Sequence, residues 1–411
     1  MSQTIAIIGG GAAGLTAAIS VREHSPHSRV YIFERLDKAG KKLLATGNGR
    51  CNLSNVNAGK AGYHGGAPGF WSAALSEFDV PRTLDFFASL GLETLTEPDG
   101  KIYPLSGQAA AVLDALRFRA AALGAEFLTG TEITRLEKSS GVFRLFSAQD
   151  NWRADAVILA AGGCASPQLG SNGSGYALAE RLGHKVTPLR PAIVQIKTKT
   201  ADIKPLKGIK INGAASVIIS GKPVRTERGE ILFTEYGISG PPVLRLSRDV
   251  SGSVSDNIFI SMDLLPDFSR GQLLDMLKRR RADLGYLTGE NFLSGLLHKR
   301  LGQTLLKLAG VALSTRVCDI TDADLSRICG LIKKWRLEAA GVMPFKNAQV
   351  TAGGLDTRDF DPLTLESRLA RGLYAAGEVL DVDGECGGYN LQWAWSSGWV
   401  AGKNAAGREC R

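Results

Sequence analysis

Thr4-Ile5-Ala6-Ile7-Ile8-Gly9-Gly10-Gly11-Ala12-Ala13-Gly14 stands near the first residue of a chain of 411, and its reading decides the fold. Thr4 to Ile8 is a short apolar run that predicts a buried strand. Gly9 to Gly14 then fits G-x-G-x-x-G and turns the chain into a helix reaching about Glu23. Arg29 to Glu34 predicts a second strand through Val30, Ile32 and Phe33. Strand, glycine turn, helix and strand make one half of a Rossmann-type sheet. In such a unit Gly9 permits the tight turn, Gly11 lets a pyrophosphate approach the backbone, and Gly14 lets the helix pack on the strand. The helix N-terminus adds free N–H groups and partial positive charge for phosphate. Glu34 falls about 20 residues past the last glycine, where a carboxylate accepts ribose hydroxyls and repels a 2′-phosphate. The motif predicts a dinucleotide and does not separate NAD from FAD.

Outward from this unit, Leu43 to Gly69 reads as an extended loop rich in glycine and asparagine. Pro81 to Leu90 and Ala109 to Ala122 have helical periodicity. Glu126 to Glu137, Val142 to Phe146 and Ala156 to Ala161 read as strands, and Gly175 to Leu182 as a helix. From Ala192 to Met262 short β-type runs dominate, with a hairpin at Ala215–Ile219, Ser220-Gly221-Lys222 and Pro223–Arg225. From Ser269 to about Lys334 the pattern is helical, and Thr321 to Asp324 has capping-box spacing. Strand and glycine signals return after Val350, and a last helix is expected from about Leu391. The expected layout is a discontinuous nucleotide-binding domain, 1–189 plus 346–411. Into it are inserted a β-rich domain, 190–266, and a helical subdomain, 267–345.

Composition narrows the class. The 44% hydrophobic content is that of an ordinary globular protein. The apolar start meets glycine at once without a basic leader, so it does not read as a signal peptide. No run approaches the roughly 20 apolar residues of a membrane span. Six cysteines without a C-x-x-C pair, and five histidines without metal-type spacing, indicate neither a zinc site nor a dithiol. A cytoplasmic protein with reduced thiols is the simplest reading. A net charge of +9 favours anionic ligands without choosing among them. Lys278-Arg279-Arg280-Arg281 reads as a solvated helix face, so a nucleic-acid partner is not the leading expectation. The oligomeric state is left open.

Six further blocks carry a family resemblance. Asp37 to Asn52 reads DKAGKKLLATGNGRCN. Gly100 to Ser106 is similar to G-R-V-F-P-x-S, with Lys101, Ile102 and Tyr103 as departures. Ile158 to Gly163 is similar to a strand ending A-T-G-G, with Ala161 for threonine. Leu232 to Pro241 is similar to L-F-T-H-x-G-x-S-G-P, with Glu235 where histidine is common. Val350 to Leu355 and Leu373 to Leu391 complete the set. Together they resemble the HI0933-like family of NAD(P)/FAD-dependent oxidoreductases over nearly the whole chain. The resemblance implies an α/β fold: a Rossmann-type, two-dinucleotide-binding FAD domain with an inserted β-barrel-like domain and a helical subdomain.

By position, the resemblance puts Gly9, Gly11, Ala12, Ala13 and Gly14 at the pyrophosphate of a non-covalent FAD. It puts Glu34 and Arg35 near the adenosine ribose, and the Ile133 backbone at the adenine. Lys41, Lys42 and Glu378 fall near the ribityl–phosphate stretch, and Ala160, Ala161 and Gly162 at a second strand-end turn. Asn390 and Leu391 fall at the isoalloxazine, where a helix N-terminus would stabilise the negative charge of reduced flavin. Arg50, Tyr103, Glu235 and Tyr236 are candidates for the side facing a small-molecule substrate, and Tyr103 or Tyr236 for a proton donor. The leading expectation is an NAD(P)H-dependent reductase of an activated C=C bond, although no second G-x-G-x-x-G is present for a nicotinamide donor. An oxygen-using aminoketone oxidase and an RNA-associated flavoprotein are the alternatives.

Overall fold

The computed structural model describes residues 3–59, 61–199, 201–255 and 257–407. Cys410 lies outside them. The chain divides into two compact units, one of residues 1–191 and 345–411 and one of residues 192–344.

The first unit is built on β1 (Thr4–Ile8), α1 (Ala12–His24), β2 (Arg29–Glu34), α2 (Ala109–Ala122), β3 (Glu126–Thr129), β4 (Ala156–Leu159), β5 (Leu373–Ala375) and α3 (Tyr389–Ala406). The five strands form one parallel sheet in the order β5-β4-β1-β2-β3. Chain order reverses between β1 and β4. In an open α/β sheet that switch point, at the carboxyl ends of the strands, is where a ligand binds. The sheet is apolar because both faces are covered: Ile5, Ile7, Val30, Ile32 and all of β4 are fully buried. Each valine, leucine or isoleucine among them contributes about 1.5–3 kcal/mol by leaving water.

Helix α3 lies along α1 at very close range. A Cβ on Gly398 would stand 2.4 Å from the Ala13 carbonyl oxygen, and one on Gly402 2.5 Å from that of Ala17. Glycine at both positions is therefore a packing requirement. The Ser20 hydroxyl donates to the Trp399 carbonyl at 2.7 Å and fixes the register.

The second unit is a closed six-stranded barrel in the order Ile196–Thr198, Gly237–Ser239, Lys222–Phe233, Lys210–Ile219, Ile258–Asp263 and Trp335–Val342. Its closing strand, Trp335–Val342, comes from inside the segment read as helical. The helices Arg270–Asp283, Lys299–Leu308 and Asp322–Lys333 bury Leu273, Leu305 and Ile328 in one core with barrel residues Ile260 and Leu337. Thr321 and Asp324 form the expected capping box.

Some boundaries differ from the sequence reading. The run Glu126–Glu137 is two strands, because Gly130 turns the chain at φ +67 and Thr131 donates to the Glu34 carbonyl. The hairpin is longer than expected, Lys210–Ile219 against Lys222–Phe233, because charged residues on both faces of the second strand, with none buried before Ile231, leave no apolar alternation to read. The stretch after Leu43 is not wholly extended: Lys41–Ala45 is a short helix, and Ser54–Asn55 pairs with Lys101–Pro104.

Candidate cofactor site

At the carboxyl edge of the sheet, the three glycines of the first motif have different reasons to be glycine. Gly9 sits at φ +113, and a Cβ there would meet the Ala160 carbonyl oxygen at 2.3 Å. A Cβ on Gly14 would meet the Gly9 carbonyl oxygen at 1.9 Å. These two hold β1, α1 and β4 together. Gly11 has an extended backbone, φ −83 and ψ −167, open to any residue, and a Cβ there would meet nothing within 4 Å. Nothing among the described residues requires glycine at that point. The space is a cradle above the N-terminus of α1 that a side chain would fill, so the residues present fit a pyrophosphate lying on that backbone.

The helix itself is prepared for an anion. Gly11 is its N-cap without a side-chain bond, and its first turn holds no acid. The first turn of a helix leaves its N–H groups without intrahelical acceptors, so Ala12, Ala13 and Gly14 direct theirs at the cradle.

Glu34, at the end of β2, is 9% exposed. Its two carboxylate oxygens accept from the Gly10 N–H at 3.1 Å and the Leu36 N–H at 2.9 Å. A carboxylate oxygen has two lone pairs, so each can also accept a ribose hydroxyl. Arg35 beside it has its Nε 3.3 Å from Glu132. Ile133 has a buried side chain.

Ala160 at the end of β4 donates its N–H to the Ile8 carbonyl at 2.8 Å. Gly162 follows at φ +71. A Cβ on Gly163 would fall 2.4 Å from Thr351 Oγ1 and 2.7 Å from Glu378 Oε1. Glu378 accepts from the Thr351 N–H at 3.0 Å and from Lys42 Nζ at 2.7 Å. Lys42 and Glu378, 336 residues apart, thus form a half-buried ion pair beside the second turn. Lys41 points elsewhere, to Asp37 at 2.6 Å.

The residues expected at the isoalloxazine lie at the start of α3. The helix begins at Tyr389, two residues before the expected Leu391, because Gly388 at φ +103 forms its N-cap. Asn390 is spent internally. Its amide accepts from the Gly384 N–H and donates to the Gly384 carbonyl, both at 2.8 Å. The first turn of the helix carries no acid and no side-chain cap, and its N–H groups lack intrahelical acceptors. The segment ending the second family block holds this turn in place. Asn55 donates to the Gly387 carbonyl at 3.0 Å, and the Asn52 amide, oriented by its neighbours, accepts from the Gly388 N–H at 3.2 Å.

Arg50 and Tyr103 come together: the guanidinium carbon lies 4.0 Å from the centre of the tyrosine ring. Arg50 also pairs with Glu97 at 2.7 Å, and Lys101 with Asp99 at 2.5 Å. Burial pushes the Tyr103 phenol up; the two cations pull it down and the two carboxylates push it up. Tyr236 and Glu235 belong to the other compact unit, where Glu235 pairs with Lys207 at 2.6 Å.

Cys51 is fully buried and free, and burial pushes its thiol up to about 12. Such a thiol stays protonated and unreactive at neutral pH. The sequence reading missed Gly398 and Gly402, whose G-x-x-x-G spacing in a helix signals close helix approach. It also missed Thr351, which accepts from the N–H groups of Cys164 and Ala165 at 2.8 and 3.1 Å.

A parallel sheet with this switch point, cradle and pair of uncapped helix starts defines a Rossmann-type dinucleotide-binding protein. The chain belongs to the HI0933-like family: the HI0933-like protein Rossmann domain matches residues 3–404. It is 40% identical over 409 residues, 98% of this chain and 99% of the relative, to the 3-dehydro-bile acid delta(4,6)-reductase of Clostridium scindens. It is 30% identical over 405 residues, 96% of each chain, to the ribosomal RNA dihydrouridine synthase of Haemophilus influenzae. A solved 3-ketosteroid-delta4-(5alpha)-dehydrogenase from Rhodococcus jostii covers 99% of this chain and 97% of its own, at 15% identity and a TM-score of 0.49. The protein is a flavoprotein oxidoreductase. No helix among the described residues is long and apolar enough to cross a membrane.

Proposed function

We propose that the protein holds FAD non-covalently and reduces an activated C=C bond, drawing electrons from NAD(P)H bound transiently. The observation that carries the cofactor reading is Gly11, whose open cradle nothing among the described residues fills. The C=C reading rests on relatives of unlike substrates. One is named a delta(4,6)-reductase and one a dihydrouridine synthase. Dihydrouridine is uridine with its ring C=C bond reduced, so both names denote the same bond change.

Gly11 to Gly14 would hold the pyrophosphate, Glu34 and Arg35 the ribose, and the Ile133 backbone the adenine. Lys42 and Glu378 would hold the ribityl–phosphate stretch, and Ala160 to Gly162 the turn beside it. When bound, FAD supplies hydride transfer at its ring N5. The first-turn N–H groups of α3 would stabilise negative charge at the ring edge. Tyr103 would donate a proton to the carbon next to the one that takes the hydride, with Arg50 stacked on its ring to hold it.

Anaerobic mixing with NADH or NADPH should bleach the yellow protein, and an enone should restore the colour. No bleaching with either nucleotide, together with peroxide release from aminoketones in air, would replace this reading by the oxidase. Tyr103→Phe should bleach normally and turn over about 100-fold slower or worse. Tyr236→Phe tests the other candidate donor by the same split.

A further inference from the structure

A phenylalanine would do the packing work of Tyr176. This residue lies in the helix Ser174–Glu180 and is 5% exposed. Its ring packs against the loop before the helix: a Cβ on Gly173 would stand 2.8 Å from Cys164 Sγ and 3.5 Å from Tyr176 Cδ2. The helix is fixed on the second strand-end turn. Gly173 donates to the Gly163 carbonyl at 3.0 Å, and a Cβ on Gly175 would stand 2.8 Å from the Ala161 Cβ. The Tyr176 hydroxyl, by contrast, is buried without a hydrogen-bond partner among the described residues. Buried polar groups are paired in the great majority of cases, because an unpaired one has given up water for nothing.

The neighbourhood of the hydroxyl suggests its use. Burial pushes the phenol up, and among the charges that add to this the Glu378 carboxylate comes first, ahead of Cys164 and Asp381. Tyr176 is thus a neutral donor within the field of Glu378 but not bonded to it. Glu378 already has two donors, the Thr351 N–H at 3.0 Å on one oxygen and Lys42 Nζ at 2.7 Å on the other. The first is backbone from a buried strand and stays where it is. The second sits on a flexible four-carbon stem, and a phosphate nearby competes for it. A half-buried carboxylate that loses its cation needs another donor in its place.

We propose that Tyr176 is a reserve partner for Glu378: as Lys42 turns to a phosphate oxygen of the cofactor, the Tyr176 hydroxyl moves to donate to the carboxylate. Tyr176 is then a positioning residue, acting on the cofactor through Glu378. The exchange keeps Glu378 bonded at both oxygens with and without Lys42, and it gives the buried hydroxyl a purpose that packing does not. The proposal rests on the reading that Lys42 and Glu378 hold the ribityl–phosphate stretch. It does not depend on which bond the flavin reduces.

The test is a cycle of four full-length proteins: wild type, Tyr176→Phe, Lys42→Met and the double variant. Each is melted as the apoprotein and titrated with FAD by fluorimetry. With Lys42 in place, Tyr176→Phe should leave the melting temperature of the apoprotein unchanged or raise it, because no bond is lost. It should still weaken FAD about fivefold, the worth of one hydrogen bond. In Lys42→Met the hydroxyl already serves Glu378, so Tyr176→Phe should there lower the melting temperature by about 2 °C. A tyrosine that only packs gives the same shift in both backgrounds, and that result would overturn the proposal. So would an apoprotein destabilised by Tyr176→Phe with Lys42 in place, or FAD affinity that the substitution leaves unchanged. If Lys42→Met does not fold, Lys42→Gln gives the same comparison. Failure of the wild type to take up FAD would sink the cofactor reading, whereas the apoprotein cycle decides by itself whether Tyr176 replaces Lys42.

Discussion

Helices α1 and α3 both begin on a glycine without a side-chain cap and without an acid in the first turn. They reach that state differently. At α1 every requirement is local: Gly9, Gly11 and Gly14 and the strand before them lie within eleven residues. At α3 the start is assembled from far apart. Asn52 and Asn55 hold Gly387 and Gly388, Gly384 occupies Asn390, and Gly398 sets the approach to Ala13. A phosphate site made of backbone can be compact in sequence. A ring site must also leave a face open to substrate, and that takes walls from several segments.

The harshest way to break the comparison is Gly398→Val. A Cβ there meets a backbone oxygen at 2.4 Å, which cannot yield, so the helices separate and both ends fail together. The expected result is no soluble yellow protein. A folded variant that keeps its flavin would show the two ends to be independent. Lys42→Met strands the half-buried Glu378 and should cost roughly 1–3 kcal/mol of flavin affinity, read by fluorimetric titration of the apoprotein. Glu378→Gln in the same background should recover part of that loss.

Glu34→Gln turns an amide N–H toward either Gly10 or Leu36, both donors, and should cost about 1–3 kcal/mol. The loss should fall on the nucleotide end, so the AMP half of the cofactor should compete less well. Gly11→Ala is the sharpest contrast. It should leave the melting temperature of the apoprotein unchanged while lowering flavin affinity; Gly14→Ala should lower both. An apoprotein destabilised by Gly11→Ala would mean that the cradle is packing space.

The smallest expected effect lies away from both ends. His184 is buried, stacked on Phe360 with ring centroids 4.7 Å apart, and bonded through Nε2 to Ser367 at 2.9 Å. Burial lowers its pKa from the ordinary 6.5, against a smaller upward pull from Asp359. The unfolded chain therefore takes up the proton first. Stability from this residue is complete above 6.5 and falls as pH drops from there through the lowered folded value. Melting temperatures across that window should flatten in His184→Gln, with cofactor affinity unchanged.

Much of this was legible in the chain. β1, β2, α2 and the capping box at Thr321 follow from apolar periodicity and local hydrogen-bonding residues, which act within a few positions. The start of α3 was read two residues late, because Gly388 is a cap only through its backbone angle. The role expected of Asn390 toward the ring was drawn from position, and its amide is engaged with Gly384.

By itself the sequence determined a dinucleotide fold, the glycine turn and the acid Glu34, since each depends on steric rules between near neighbours. The family resemblance extended that to FAD. Tertiary structure alone separated Gly11, where a Cβ would meet no described atom, from Gly9 and Gly14, which are glycine for packing. It also decided that Lys42 meets Glu378. Those facts depend on distances between segments up to 336 residues apart, and such distances exist only once the chain has closed on itself.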